Sequence, residues 1–599
     1  MKRPLLALLP LLALPLFHCG DDDDAPVAPT PAGDGGTSGS DAGGKVEEAD
    51  KPLIPANKVD LLFAIDNSAS MGDKQALLGS AVSRILRRLT EPSADHGPVD
   101  LHVGVISSSL GTFGKGGACD TNNPETNENG HLNNKSADNQ QVVSGAESGF
   151  LSFAPGGDIT KLENDAKNLI LAVGQNGCGF EAQLESLYRF LIQPDPPSSI
   201  EYDPTSQALK FGPIDDELLA QRKAFLRPDS AVAIVMLTDE DDSYADPNWN
   251  HGMGWSFAAR QFPGSKVTRG TTAQGTTAAR GTKICETDPS SADCKSCAIC
   301  NQDPACKAKQ DPNCSKSGVD GQSGDGYDGY YGATDDDLNV RFFHMKQRFG
   351  VDPQFPIDRY LRGLSYRKVP DRSSEHDATT GNYVHAETCT NPLFAAALPA
   401  SSKEDYCHMP EGTRSRQLVL FQLIGGLPPA LAGAAPNWTA ILGQDPDTYN
   451  LAGIDPHMIQ SIAPRPAISG GDPLKSPRGD NGTDPVNGRD WDTKNKDLQY
   501  ACTVALPTPR SCTPNIGSCD CEDDPAHPGT PYSNQPLCAT DGSATQIRAK
   551  AYPTIRELRL AKALGDRGLV GSICSVDPSS GYGPILESLA TKLNPVLAK

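Results

Sequence analysis

The chain has 599 residues, with 75 acidic against 53 basic side chains and a formal net charge of -22. A protein this acidic repels nucleic acid and anionic membrane surfaces, which excludes both as electrostatic partners and favours contacts bridged by cations. The length leaves room for several domains, and 17 cysteines suit an oxidising compartment in which thiols pair.

The first predicted element is an export signal. Lys2 and Arg3 precede an apolar run from Leu5 to Phe17, too short to cross a bilayer comfortably, which ends in Leu16-Phe17-His18-Cys19-Gly20. Residues 1–18 resemble a bacterial lipoprotein signal, with Cys19 as the residue to be lipidated and left as the new amino terminus. His18 departs from the small residue expected before that cysteine, so ordinary secretion with cleavage nearby is the alternative. Residues 19–57 pass through Asp21 to Asp24 into a mixture of Pro, Gly, Ala, Ser and Asp with almost nothing to bury, which predicts a disordered tether. No other segment is long and apolar enough for a transmembrane helix. The expected location is the bacterial cell envelope, lipid-anchored and extracytoplasmic; Gly20 carries no strong sorting signal, and the outer membrane is a guess.

From Val59 to Ile65 a nearly continuous apolar run predicts a buried parallel strand, and Asp73 to Thr90 repeats Leu78, Val82, Ile85 and Leu89 at helical spacing. Between them stands Asp66-Asn67-Ser68-Ala69-Ser70. A second strand is expected over Asp100 to Ser107, where His102 reads as a packed strand residue. Leu184, Leu187, Tyr188 and Leu191 mark a further helix. Another apolar strand, Ala231 to Leu237, ends in Thr238-Asp239-Glu240-Asp241-Asp242. Strands alternating with helices predict an α/β sheet, and in such sheets ligands gather at the carboxyl ends of the strands. One carboxylate and two hydroxyls spaced two apart can converge on a hard cation such as Mg²⁺ or Ca²⁺; the same residue types also suit a helix N-cap.

Asp66-Asn67-Ser68-Ala69-Ser70 together with Leu237-Thr238-Asp239 resembles the von Willebrand factor A-type domain, whose metal-ion-dependent adhesion site uses Asp-x-Ser-x-Ser, a distal Thr and a distal Asp. The resemblance covers Val59 to Tyr244 and a stretch near the carboxyl terminus. It implies a doubly wound, mostly parallel α/β sheet carrying one Mg²⁺ or Ca²⁺. Ser68 and Ser70 would be direct ligands, with Asp66 and Asp239 binding directly or through water, and an open position would accept a carboxylate from a partner. One element departs from the pattern: where the distal Thr is expected, the chain reads Asn176-Gly177-Cys178-Gly179-Phe180-Glu181. Glu181 is the nearest oxygen donor. It is either a third carboxylate that tightens the site or turns it towards Ca²⁺, or a first-turn carboxylate that stabilises a helix dipole. Glu240, Asp241 and Asp242 are expected to be solvated, or to form a weak accessory calcium site.

The A-type domain is expected in three pieces, 58–244, 417–426 and 551–599. The later pieces supply strands at Leu418 to Ile424 and Gly568 to Ile573 and a last helix with Ile585, Leu586, Leu589 and Leu593. A cysteine-rich insertion at 245–416, with helices near Val340 to Arg348 and Ile357 to Leu364, and a Pro- and Cys-rich insertion at 427–550 separate them. Both start after a strand's carboxyl end and are expected as loop-rich caps beside the metal, forming the partner surface or partly covering the cation. With Cys19 lipidated, sixteen cysteines remain to pair. Cys119 with Cys178 and local pairing inside each insertion are expected. Cys294-x-x-Cys297-x-x-Cys300 with Cys306 has a spacing like zinc or iron-sulfur ligation, but Cys285 and Cys314 bring the group to six thiols, enough for three disulfides. The Asp- and Gly-rich stretch Asp320 to Asp337 lacks EF-hand spacing and is expected as a flexible exposed loop.

No His-Glu-x-x-His, Gly-x-Ser-x-Gly or phosphate-cradling Gly-rich motif is present. The chain is therefore expected not to be an enzyme, but to bind a protein or glycan that presents a carboxylate to the divalent cation. The alternatives are a metal-dependent hydrolase with catalytic residues on the inserted loops, or a calcium-stabilised structural envelope protein.

Overall fold

The computed structural model describes most of residues 51–599. Residues 1–50, 251–279, 315–341, 343–351, 469–486, 491–497, 513–518 and 522–535, with shorter stretches elsewhere, lie outside the described residues. The export signal, Cys19, the tether up to residue 50, the stretch Asp320 to Asp337 and nearly all of the expected helix near Val340 fall outside them.

A strand whose two faces are both covered is mostly apolar on both, and Lys58–Ile65 (β1) is so but for Lys58, which is partly exposed, and the buried Asp60. Its neighbours are β2 (Asp100–Ser107), the short β3 (Leu151–Phe153), β4 (Ala231–Leu237) and β5 (Val419–Gly425). A separate antiparallel hairpin, β6 (Cys502–Ser511) and β7 (Thr545–Ala551), precedes the last sheet strand, β8 (Gly568–Ser572). The six-stranded sheet runs in the order β8-β5-β4-β1-β2-β3, parallel throughout except for β3.

The principal helices are α1 (Gly72–Thr90), α2 (Ile159–Leu171), α3 (Gln183–Leu191), α4 (Asp216–Phe225), α5 (Ile357–Gly363), α6 (Ile555–Ala563) and α7 (Tyr582–Leu593). Side chains alternate across a strand, so Leu61, Phe63 and Ile65 pack with α1, α2 and α7, while Leu62 and Ala64 pack with α3 and α4 on the opposite face. From β1 the chain builds outward to β2 and β3, then returns to lay β4, β5 and β8 on the other side. The order reverses between β1 and β4. At such a switch point the loops leaving the two strands diverge, opening a crevice at their carboxyl ends.

The later part of the first insertion belongs to this core. Phe355, Ile357, Tyr360, Leu364, Leu393 and Phe394 share one apolar cluster with Leu184, Leu187 and Leu191 of α3. Arg359 of α5 is fully buried, donates to Glu185 of α3 at 3.2 Å and to Glu375, and lies 3.8 Å from the Tyr188 ring centre and 3.9 Å from that of Phe355. Desolvation of Glu375 pushes its carboxyl up to about 7 in spite of the guanidinium.

Seven disulfides close among the described residues. Cys119 pairs with Cys178, as expected from their loops at the carboxyl edge. Cys297–Cys314 and Cys300–Cys306 use four of the six thiols weighed as metal ligands. Cys389–Cys407, Cys512–Cys519 and Cys521–Cys538 are local. Cys502 is not: it bonds Cys574, just beyond β8, because the β6–β7 hairpin folds back along the sheet's carboxyl edge. No helix of the described residues is long and apolar enough to cross a membrane.

Arg359→Met keeps much of the stem's bulk and strips the charge from between two buried carboxylates. Breaking a buried ion pair on one side costs about 3–5 kcal/mol, and urea unfolding at neutral pH is expected to show a loss of that order, largely recovered when Glu185→Gln and Glu375→Gln are added.

Candidate functional site

β1 and β4 end level with each other, the backbone N–H of Asp66 donating to the Leu237 carbonyl at 2.9 Å. Asp66 is completely buried. Its Oδ1 accepts from the Ser68 backbone N–H at 2.8 Å and the Ser108 hydroxyl at 3.4 Å, and its Oδ2 from the Thr238 hydroxyl at 2.8 Å. These bonds turn the chain at the tip of β1 and present the next hydroxyls to β4. Ser70 Oγ donates to Asp239 Oδ1 at 3.0 Å and lies 3.4 Å from Ser68 Oγ. Four of the five expected ligands, Asp66, Ser68, Ser70 and Asp239, thus meet at the switch-point crevice. The serines do not cap the helix, for the N-cap of α1 is Met71, with no side-chain hydrogen bond to the first turn.

Asn67 holds the surrounding loops. Its Oδ1 accepts from Ser109 Oγ at 2.8 Å and Ser108 Oγ at 3.2 Å, its Nδ2 donates to the Glu125 carbonyl at 3.1 Å, and its own carbonyl accepts from Gly177 N–H at 2.8 Å. At Gly177 any Cβ would stand 2.2 Å from Asn67 Oδ1, so the close approach requires glycine. This contact and the Cys119–Cys178 bond position the segment that ends in Glu181.

Glu181 is buried and precedes the Ala182 N-cap of α3, outside that helix's first turn. Its carboxylate accepts from Ser243 Oγ at 3.4 Å; burial first, then the charge of Asp66, pushes it up to about 8. Burial and the Asp239 charge raise Asp66 to about 6, and burial with the Glu181 charge drives Glu240 upward as well. Burial is the first cause in each case and the neighbouring carboxylate the second, so the crevice disfavours these groups as anions.

Asp241 and Asp242 do not behave as a solvated run. Asp242 Oδ2 accepts the Leu184 N–H at 3.1 Å and Asp241 Oδ1 the Arg556 N–H at 2.7 Å, so the two carboxylates satisfy free donors at the starts of α3 and α6. Burial nonetheless disfavours both as anions and raises them, Asp242 to about 7. His102 is a packed strand residue: Nδ1 is 2.8 Å from the Phe225 carbonyl and the ring lies against Phe150.

The nearest cation is Lys74, which no motif had singled out. Its ammonium donates to Asp239 Oδ2 at 2.6 Å and to the Ser70 carbonyl at 2.9 Å, with both charged side chains 1% exposed. The one sequence signal was its position in the first turn of α1, four residues after Ser70. Access is narrow. Ala69 is exposed and Ser70 half-buried, while Tyr552 N–H, just after β7, bonds the Asp239 carbonyl at 2.8 Å and Arg510 of β6 bonds Asp73 at 3.2 Å, bringing the end of the second insertion and the residues just after it against the crevice.

The donor set suits a hard divalent cation. Adjacent oxygens around Mg²⁺ stand about 3.0 Å apart and around octahedral Ca²⁺ about 3.4 Å apart, from metal–oxygen distances of about 2.1 and 2.4 Å. The Ser70–Asp239 and Ser68–Ser70 separations, 3.0 and 3.4 Å, are hydrogen-bond contacts that also lie within the span of adjacent oxygens around such ions. Among the described residues no group of three or more His, Cys, Asp or Glu side chains is arranged to hold a metal. A cation here would rely on the serine hydroxyls as well as the aspartates.

Beside Asn67, the Glu128 carboxyl accepts from Asn133 at 2.9 Å through Oε1 while Oε2 is buried without a hydrogen-bond partner; burial pushes the group up to about 8. The folded state then holds this proton more tightly than the unfolded state, so its stabilisation is complete below the unfolded value of 4.5 and is lost as pH rises through about 8. Thermal unfolding at pH 5, 7 and 9 is expected to show Glu128→Gln gaining on the wild type as pH rises, with the largest gain at pH 9. Comparison with family models, with curated proteins and with solved structures returned no match, so the functional reading rests on the site's own geometry and chemistry.

Proposed function

We propose that this chain is an extracytoplasmic binding protein of the von Willebrand factor A type, anchored by lipid at Cys19, which engages a carboxylate-bearing protein or glycan through a divalent cation. One observation carries the reading: Ser70 and Asp239, 169 residues apart, meet at 3.0 Å at the switch point of a doubly wound sheet. Asp66, Ser68, Ser70 and Asp239 would hold Mg²⁺ or Ca²⁺, with Glu181 beside them, and the ion would supply a positive centre for an incoming carboxylate. The protein's own part is to fix the two strand tips, exclude most of the water, and leave Ala69 and Ser70 as the approach. Seven disulfides agree with an oxidising compartment.

The burial of Asp66 and Asp239 favours a second reading, a structural cation that no partner touches. One set of measurements separates the two. Calorimetric titration is expected to show Mg²⁺ or Ca²⁺ binding to the wild type, and a loss of at least about tenfold in affinity in Asp66→Ala, since a charged ligand is removed. A pull-down from envelope extract should retain partners with Mg²⁺ and lose them with chelator or with Asp66→Ala. An identical bound set in every condition, with chelator lowering only the melting temperature, supports the structural cation instead.

A further inference from the structure

Lys74 divides the carboxylate of Asp239. Oδ2 is 2.6 Å from the ammonium, and Oδ1 is the oxygen that Ser70 Oγ reaches at 3.0 Å. The ammonium is pinned from the other side by the Ser70 carbonyl at 2.9 Å, and its side chain, 1% exposed, has no route to solvent. Asp239 therefore has one oxygen committed to a fixed monovalent cation and one facing the serine hydroxyls.

The two candidate ions respond differently to such a carboxylate. Mg²⁺ takes six oxygens in a tight octahedron and accepts carboxylates through one oxygen, whereas Ca²⁺ takes six to eight and commonly grips a carboxylate through both. A residue that occupies the second oxygen therefore penalises Ca²⁺ more. Its positive charge also opposes either ion, and in a buried crevice that repulsion is poorly screened. On the reading that the crevice holds a divalent cation, we propose that Lys74 is its selectivity element, keeping Asp239 to one-oxygen coordination so that the site prefers Mg²⁺ over Ca²⁺ and holds it reversibly. This sets Lys74 against the Ca²⁺ preference that a third carboxylate at Glu181 would confer.

The test is calorimetric titration of Mg²⁺ and of Ca²⁺ into wild type, Lys74→Met, Lys74→Gln and Lys74→Arg, with a melting curve for each. Lys74→Gln keeps a donor for Asp239 without the charge, which covers the case in which Lys74→Met does not fold. The wild type is expected to bind Mg²⁺ more tightly than Ca²⁺. The neutral variants should gain affinity for both, with the gain for Ca²⁺ about tenfold the larger, and Lys74→Arg should keep the wild-type order. If the neutral variants bind both ions as the wild type does, or lose both alike, Lys74 only props α1 against β4 and the proposal falls while the cation site stands. If neither the wild type nor any variant binds either ion, the cation site itself fails and this inference fails with it.

Discussion

The hydrogen bond from the Thr238 hydroxyl to Asp66 Oδ2, 2.8 Å long and fully buried, joins the tips of two parallel strands at the one place where the order of the sheet reverses. Everything at the carboxyl edge is placed from there. Because Asp66 is held on both oxygens, the chain must leave β1 in a turn that sets Ser68 and Ser70 towards Asp239. Because Thr238 also accepts from Gln183 Nε2 at 2.8 Å, the start of α3, and with it Glu181, is referred to the same point. Asn67 repeats the arrangement one residue on, collecting the ends of β2 and the loop around Gly177. These bonds lie in the interior, where an unmet donor or acceptor costs more than a made bond gains, so the geometry has few alternatives.

That rigidity has an electrostatic cost. Asp66, Glu181, Glu240 and Asp239 are gathered in a space where Lys74 is the closest neutralising charge, and the upward shifts of the first three carboxyls express how poorly the fold tolerates them as anions. Buried charge that serves only packing is usually replaced by apolar groups without loss. On the reading proposed above, a bound divalent cation would relieve that cost by favouring the ionised carboxylates.

How much of this could be read from the residues follows from how local each signal is. β2 and β4 are found at their expected limits, and β1 and β5 within a residue or so, because strands covered on both faces are mostly apolar, with few polar interruptions such as Asp60, His102 and Gln422. β3 escaped because its three residues carry no period, and Lys74 because its partner is 165 residues away in the chain. Asp241 and Asp242 looked solvated, since a charge run normally is. Only the fold shows that two helix starts converge on them. The disulfide Cys502–Cys574 was invisible for the same reason: local spacing cannot report that a hairpin returns to the far side of a sheet.

The insertions complete the argument about access. Arg359 sits between Glu185 and Glu375 with aromatic rings against its guanidinium, so the segment around α5 is part of the wall behind α3. The described part of the second insertion is tied down at several points close to the crevice, at Asp73 through Arg510, at Asp241 through Gln460 and at Cys574 through Cys502, and Tyr552 just after it bonds Asp239. A cover fastened at that many points is not a loop that swings aside freely. Among the described residues at the turn after β1, Ala69 is exposed and Ser70 half-buried, so an approach to the two strand tips is open there. On the reading proposed above, recognition beyond that edge falls to the rim, to which the inserted loops contribute, so that the scaffold would set where binding occurs and the insertions to what.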